Sequence, residues 1–140
     1  MRVVGLILVA VGLAALAAVW SGGPARGGGS PTAEVRIHFS RFTPAEVVAT
    51  AGVPLRVTLV NTDPIDHEWL VGDATFHERH RAGTEAHHGA RPNEVSLAPG
   101  ESKVTTVLFE EPGEYLFICH LPGHEAYGMV GVLRVVPARG

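Results

Sequence analysis

The sequence contains a single cysteine, Cys119, among its 140 residues. One cysteine cannot close an internal disulfide bond, so the chain is not one of the disulfide-stabilised scaffolds. In an exported protein a free thiol would be open to oxidation. Binding of a metal ion would explain a lone thiol in such a chain, and Cys119 is therefore the first candidate for a metal ligand.

Charged residues are also scarce, at 18% of the chain, with 11 basic and 14 acidic residues and a formal net charge of −3. So weak and slightly acidic a balance argues against nucleic acid as a partner. No internal repeat is visible, and the length leaves room for a single domain.

A long hydrophobic run lies at the N-terminus, where residues 3–20 carry no charge and follow Arg2. A basic start and an apolar run of this length predict a signal peptide or a membrane anchor helix over residues 1–20. Residues 21–31 are rich in Gly, Ser and Pro and predict a flexible linker. We therefore expect an exported protein, anchored on the outer face of the cytoplasmic membrane or, if the segment is cleaved, secreted or periplasmic. The folded domain is expected over residues 32–140, with a histidine-rich insertion at 74–93.

The folded part is dominated by short segments with the alternation of half-buried strands, separated by turn residues. About eight such segments are predicted, at residues 34–39, 46–50, 55–60, 67–71, 94–97, 102–109, 114–119 and 131–136. Short strands at this spacing predict an antiparallel sandwich or barrel. No segment of the domain has a convincing helical period, although the insertion is long enough to hold one helical turn.

The most informative stretch is the segment of residues 119–129, called here the Cys119 loop. His124 and Met129 follow Cys119 at equal steps of five residues, and Gly123 and Gly128 let the chain turn tightly between them. A thiolate, an imidazole and a thioether are soft ligands that copper prefers. A second histidine must come from elsewhere in the chain, and His67 is the leading candidate.

Other interpretations of these residues were weighed. Structural zinc usually takes two or more cysteines, or a Cys/His tetrad without methionine. A Cys–His nucleophile could use His120 or His124, but no Asn or Asp partner or oxyanion loop stands out, and Met129 would have no role. Taken singly, Cys119 and Met129 would be buried core residues. Their joint spacing favours a copper site.

These patterns resemble the cupredoxin family, the plastocyanin-like blue copper proteins. The resemblance extends from about residue 35 to residue 136 and rests on Phe42-x-Pro44, Gly52 ahead of residues 55–61, Asp66-His67-Glu68-Trp69, Leu97-Ala98-Pro99-Gly100, Pro112-Gly113-Glu114-Tyr115 and Cys119-x-x-Pro122-Gly123-His124 ending in Gly128-Met129-x-Gly131. It implies an all-β, Greek-key antiparallel sandwich, here preceded by one N-terminal hydrophobic helix. It also implies one copper ion, cycling between Cu(I) and Cu(II), with four ligands: His67, Cys119, His124 and Met129.

By this resemblance the expected function is one-electron transfer outside the cytoplasm, through a redox partner that docks on the apolar surface near His124. The alternative is an extracytoplasmic copper-binding or copper-delivery protein, whose partners would be copper donors or acceptors. Enzymatic activity is not expected, since enzymes of the wider family add further copper centres and domains. The sequence departs from many small blue-copper carriers at Glu68, where they place an asparagine.

The insertion carries four further histidines, His77, His80, His87 and His88. His77 and His80 would share a face if their segment forms a helical turn. A second metal ion, Cu(II) or Zn(II), is therefore an open alternative to a simple solvated loop. Two aromatic residues on predicted strands, Trp69 and Phe117, are expected in the core.

Overall fold

The computed structural model describes residues 29–83 and 91–139. These residues form nine strands and one helix: β1 (Thr32–Ile37), β2 (Phe42–Thr43), β3 (Glu46–Thr50), β4 (Leu55–Asn61), β5 (His67–Gly72), α1 (Ala74–Arg81), β6 (Glu94–Leu97), β7 (Ser102–Val107), β8 (Gly113–Ile118) and β9 (Val130–Val136). The predicted strands are therefore present. The additional strand β2 lies between the first two predicted strands.

The strands form two sheets, one in the order β2-β1-β4-β7 and the other in the order β3-β9-β8-β5-β6. The fold is mostly β and has two sheets, as expected, but it also contains helix α1, and the pairing is not wholly antiparallel: β1 pairs with β4 and β3 with β9 in parallel. A parallel pair needs a long crossover connection. The chain between β1 and β4 is such a connection, since it forms β2 in the first sheet and β3 in the second.

The core lies between the inward faces of the two sheets. In β3, β4 and β9 every second residue is buried there, as the alternation in the sequence predicts. Val35, Val57 and Leu59 come from the first sheet. Trp69 and Phe117 come from the second, with 1% and 0% of their surfaces exposed, so their predicted place in the core is confirmed.

Helix α1 covers the outer face of the second sheet. Its Phe76 ring packs directly on Gly72, where an added Cβ would lie 2.4 Å from Phe76 Cδ1. Asp73 caps the helix by accepting the backbone N–H of Phe76 at 2.7 Å. With the core on one face and this helix on the other, all six residues of β5 are buried. The sequence had indicated at most one helical turn here, since an eight-residue helix is too short to show a strong period.

The predicted signal peptide or anchor helix of residues 1–20, and nearly all of the predicted linker, lie outside the described residues. So do His87 and His88 of the insertion. Within residues 29–83 and 91–139, no helix is long and apolar enough to cross a membrane.

Candidate metal site

The Cys119 loop connects β8 to β9 and is closed by its own backbone hydrogen bonds. The N–H of Cys119 donates to the carbonyl of Met129 at 3.3 Å, which extends the β8–β9 ladder by one pair. The N–H of Met129 donates to the carbonyl of His124 at 3.0 Å. Gly123 and Gly128 have φ values of +84° and +87°, a region that favours glycine. The tight turns expected from these glycines are therefore present.

The loop meets the start of β5 at one end of the sandwich, where three candidate ligands converge. One ligand atom each from His67, Cys119 and His124 lies within 4.8 Å of the other two. Cys119 Sγ lies 3.2 Å from His124 Nδ1. The side chains of His67 and Cys119 are fully buried, and His124 is partly exposed. The structure thus brings together two histidines that are far apart in sequence around one thiol.

Met129 occupies the same loop and is fully buried. Its backbone is hydrogen-bonded to both Cys119 and His124. The loop therefore holds the backbone of Met129 next to those of Cys119 and His124, and its side chain is in the core.

An acidic residue missed by the sequence analysis orients the first histidine. His67 Nε2 donates to Asp63 Oδ2 at 2.9 Å, and the same carboxylate accepts the backbone N–H groups of Phe39 and Ser40 at 2.7 and 2.8 Å. Although burial opposes ionisation of Asp63, these three donors hold its pKa below the ordinary value. With Nε2 protonated toward Asp63, the Nδ1 atom of His67 carries a lone pair.

A buried asparagine shapes the segment between Asp63 and His67. The side-chain amide of Asn61 donates to the carbonyls of Ile65 and Ala98, each at 2.9 Å, and its Oδ1 accepts the N–H of Asp63 at 3.0 Å. In the sequence, residues 61–64 are only part of the connection between two predicted strands. A carboxylate four residues before a candidate ligand was the signal that could have pointed to its orienting role.

The two candidate nitrogen ligands favour binding of a cation, whereas the thiol must first lose its proton. His67 Nδ1 is buried and has no hydrogen-bond partner, which is costly unless a ligand uses its lone pair. Burial lowers the pKa of His124, and the neighbouring His67 lowers it further, so this imidazole is neutral at pH 7. Burial raises the pKa of the Cys119 thiol to about 11, although the N–H groups of Glu68 and Leu121 act against this. Binding of a metal as thiolate would therefore release a proton.

The donor set fits copper. A thiolate and two imidazoles, with a thioether residue held on the same loop, are the groups from which trigonal blue-copper centres are built. The N–H of Glu68 donates to Cys119 Sγ at 3.3 Å, so the β5 backbone ties the two ligand segments together. This chain has Glu68 where many small blue-copper carriers have an asparagine. The hydrogen bond to Cys119 uses the backbone N–H of Glu68, so it does not depend on that side chain.

The helical turn considered for the insertion is present, and it carries two of the four histidines. His77 and His80 lie on α1, but each has its own partner: His77 Nδ1 is 2.9 Å from His120 Nε2, and His80 Nδ1 donates to the carbonyl of Phe76 at 2.8 Å. Burial lowers the pKa of His77, and it lowers that of His120 to about 4, with a further contribution from His77. Both rings are therefore neutral at pH 7.

Comparison with known proteins identifies the class to which this fold and site belong. Residues 10–132 match the family described as "Cupredoxin-like domain". The chain is therefore a member of the cupredoxin family, as the sequence motifs had predicted.

Particular relatives are copper proteins by name. The chain is 34% identical over 108 residues to "Copper-resistant cuproprotein CopI" of Rubrivivax gelatinosus, an alignment that covers 72% of this chain and 65% of the relative. It is 28% identical over 140 residues to the protein of the same name from Pseudomonas aeruginosa, with 77% of each chain covered. Among solved structures, dithionite-reduced auracyanin from Roseiflexus castenholzii superposes with a TM-score of 0.65 at 26% identity, covering 79% of this chain and all of that one.

Proposed function

We propose that this protein is a one-electron carrier with a type 1 copper ion bound by four side chains, His67, Cys119, His124 and Met129. The convergence of a ring nitrogen of His67, the sulfur of Cys119 and a ring nitrogen of His124 within 4.8 Å carries this proposal. Membership of the cupredoxin family and the copper-binding relatives support it. A bound copper ion would supply the one-electron couple.

The protein's own contribution is to hold the four side chains in one arrangement during both oxidation states. Asp63 fixes the ring of His67 through a charge-assisted hydrogen bond. The N–H of Glu68 donates to the sulfur of Cys119 and stabilises a thiolate there. The closed loop fixes His124 relative to Met129. Because none of these groups depends on the metal for its position, little rearrangement is needed when an electron arrives or leaves.

The electron would leave through His124, the partly exposed member of the set. The loop around it presents a mostly apolar surface, composed of Leu121, Pro122, Ala126 and Tyr127, and the Tyr127 side chain is 72% exposed. Exposed apolar patches of this kind suit short-lived contacts with a partner protein. We propose a redox protein outside the cytoplasm as that partner, and no enzymatic activity for the chain itself.

Addition of Cu(II) to the metal-free protein, followed by visible and EPR spectroscopy, tests this proposal. We expect an intense thiolate-to-copper charge-transfer band, which Cys119→Ser abolishes. His80→Gln is the control, because His80 lies on α1 and donates to the carbonyl of Phe76, and this variant should keep the band. Copper binding by the wild-type protein without such a band would refute the type 1 assignment.

Copper delivery or sequestration is the second candidate function. It is favoured by the relatives named as copper-resistant cuproproteins. The two functions differ in how they treat the metal. A carrier retains its copper and shows a reversible redox wave, whereas a delivery protein forms a colourless Cu(I) complex and passes the ion to an acceptor. Anaerobic incubation of the Cu(I)-loaded protein with a competing chelator, followed by separation, measures which behaviour holds.

A further inference from the structure

Helix α1 contacts the Cys119 loop at residues that come directly after candidate copper ligands. His120, which follows the cysteine, has its Nε2 atom 2.9 Å from Nδ1 of His77 on the helix. Glu125, which follows the histidine ligand of the loop, is bound by Arg81 in the last turn of the same helix. The loop is therefore held from outside beside each of these two ligands.

The contact between the two histidines is a hydrogen bond whose direction is fixed by a carbonyl group. His77 Nε2 lies 3.0 Å from the carbonyl oxygen of Leu116, which can only accept, so this nitrogen carries the proton of the neutral ring. His77 Nδ1 is then the acceptor, and His120 Nε2 donates to it. His77 is fully buried and the His120 side chain is 7% exposed. Loss of one partner would leave a buried polar atom without its hydrogen bond, which is costly.

The contact between Arg81 and Glu125 is a bidentate ion pair. Arg81 Nη2 donates to Glu125 Oε1 at 2.6 Å, and Arg81 Nε lies 3.1 Å from both carboxylate oxygens. Exposed ion pairs usually stabilise a protein little, but a planar guanidinium that meets a carboxylate with two of its nitrogens fixes the relative orientation of both groups. This pair therefore sets the position of Glu125 relative to the helix.

Helix α1 can support the loop because part of its own attachment is to β5. Its N-terminus is capped by Asp73, and Phe76 packs on Gly72 at the end of β5. The same strand begins with His67, the candidate ligand that lies outside the loop. The helix thus connects the two segments of chain that supply the candidate ligands.

The residues held by α1 also belong to the hydrogen bonds that close the loop. The carbonyl of Glu125 accepts the N–H of Gly128 at 2.9 Å, and the carbonyl of His124 accepts the N–H of Met129 at 3.0 Å. A displacement of Glu125 would therefore disturb the turn that leads to Met129.

We propose that α1 clamps the Cys119 loop and that His77 and Arg81 are positioning residues of the copper site. They hold the loop in its ligand-binding form before a metal ion arrives, and they keep it there when the ion is oxidised or reduced. This inference rests on the proposed function, since it concerns the same site. The clamp itself can nevertheless be tested without copper.

Amide hydrogen exchange in the metal-free full chain provides that test. The reporters are the N–H groups of Gly128 and Met129, which are bonded within the loop. Arg81→Gln should speed their exchange about fivefold, near the upper limit for an exposed ion pair. His77→Gln combined with Arg81→Gln should speed it at least about tenfold, because a buried hydrogen bond is also lost. Unchanged exchange in both variants would overturn the proposal.

Arg134→Gln is the matched control. Arg134 is also ion-paired, with Glu46 and Glu114, and its side chain is 46% exposed, compared with 45% for Arg81. It lies on β9 and does not hold the loop, so its replacement should leave the exchange of the two reporter amides within about twofold of wild type. An equal acceleration in this variant would show that the loop responds to a general loss of stability, and would refute the clamp.

A double-mutant cycle tests whether Arg81 acts through Glu125. Glu125→Gln should speed loop exchange as much as Arg81→Gln does, and the double variant should be no faster than either, because both changes remove the same interaction. Additive effects would show that the two residues act separately and would contradict the assignment.

The copper-loaded protein distinguishes a positioning role from a purely structural one. Arg81→Gln should alter the copper hyperfine splitting in the Cu(II) EPR spectrum and speed the release of Cu(I) to a chelator about fivefold, whereas Arg134→Gln should change neither. Faster loop exchange with an unchanged spectrum and release rate would refute the positioning role. A wild-type protein without the charge-transfer band would refute the type 1 assignment, while the exchange rates of the metal-free protein would still decide whether α1 clamps the loop.

Discussion

The Nε2 atom of His67 donates to the Asp63 carboxylate at 2.9 Å, and this bond leaves the buried Nδ1 atom as the available lone pair of the ring. Asp63 is in turn held by the backbone N–H groups of Phe39 and Ser40, in the turn between β1 and β2. The first sheet thus orients a candidate ligand that belongs to the second sheet. This connection between the sheets leads to the first prediction.

Asp63→Asn should weaken copper binding by about 10- to 100-fold, as is usual when a residue that orients a metal-bound histidine is changed. The amide keeps the shape of the side chain but not its charge, and it cannot accept all three of the present hydrogen bonds. Competition with a chelator of known affinity measures the change. Asp73→Asn is the matched control: it removes the same charge at the N-cap of α1 and should leave copper affinity unchanged. Equal affinities for wild type and Asp63→Asn would contradict the role given to Asp63.

Gly131→Ala should lower the free energy of unfolding by about 1–3 kcal/mol, the usual cost of overpacking a core. Gly131 pairs with Phe117 across β8 and β9, and an added Cβ would lie 2.1 Å from Phe117 Cε2 and 2.9 Å from the backbone oxygen of Ala45. Urea denaturation of the metal-free protein gives the change as a lower midpoint. At Gly113 the nearest atom to an added Cβ is 3.8 Å away, on Tyr115. Gly113→Ala should therefore stay within about 0.5 kcal/mol of wild type, and a similar loss in both variants would show that the contact with Phe117 is not the cause.

Ala126→Lys should slow electron self-exchange between two copies of the protein by about tenfold at low ionic strength, because like charges then meet where the apolar surfaces would touch. The effect should diminish as salt is added. NMR line broadening in mixtures of the oxidised and reduced protein measures the rate. Val48→Lys adds the same charge on β3, opposite Arg134 of β9 and about 13 Å along that strand from the loop. A slower rate in the Val48 variant, or an unchanged one in the Ala126 variant, would place the docking surface elsewhere.

Glu101→Gln should reduce the loss of stability of the metal-free protein on acidification. The backbone N–H of Ala98 and the ammonium of Lys103 lower the pKa of the Glu101 carboxyl in the folded protein. Because the pKa of this carboxyl is lower in the folded than in the unfolded protein, its ionised form stabilises the fold above about pH 4.3. That stabilisation is lost as the pH falls through the pKa of the folded state. The slope of stability against pH, from urea midpoints between about pH 5 and pH 3, should therefore be shallower in the variant. Parallel slopes would show that the Ala98–Glu101 turn does not contribute.

Much of the fold could be predicted because the information is local. The alternation within residues 46–50 and 94–97 gave strand bounds that agree with β3 and β6, since one face of each strand must be buried. The parallel pairings could not be predicted in this way, because alternation shows which face is buried and not which strand lies beside it. The length of helix α1 was underestimated for a related reason: its stability comes from the Asp73 cap and from the packing of Phe76 on Gly72, and its short length conceals its period.

The sequence by itself determined the tight form of the Cys119 loop, because its glycines and the three candidate ligands Cys119, His124 and Met129 all lie within eleven residues. It also indicated His67, through motifs around it. Only the tertiary structure decided that Asp63 orients His67, and that His77 faces His120 instead of His80. These contacts join side chains whose proximity depends on how the sheets and α1 pack. Local spacing fixes the geometry of a tight loop, but contacts between distant segments depend on the packing of the whole domain.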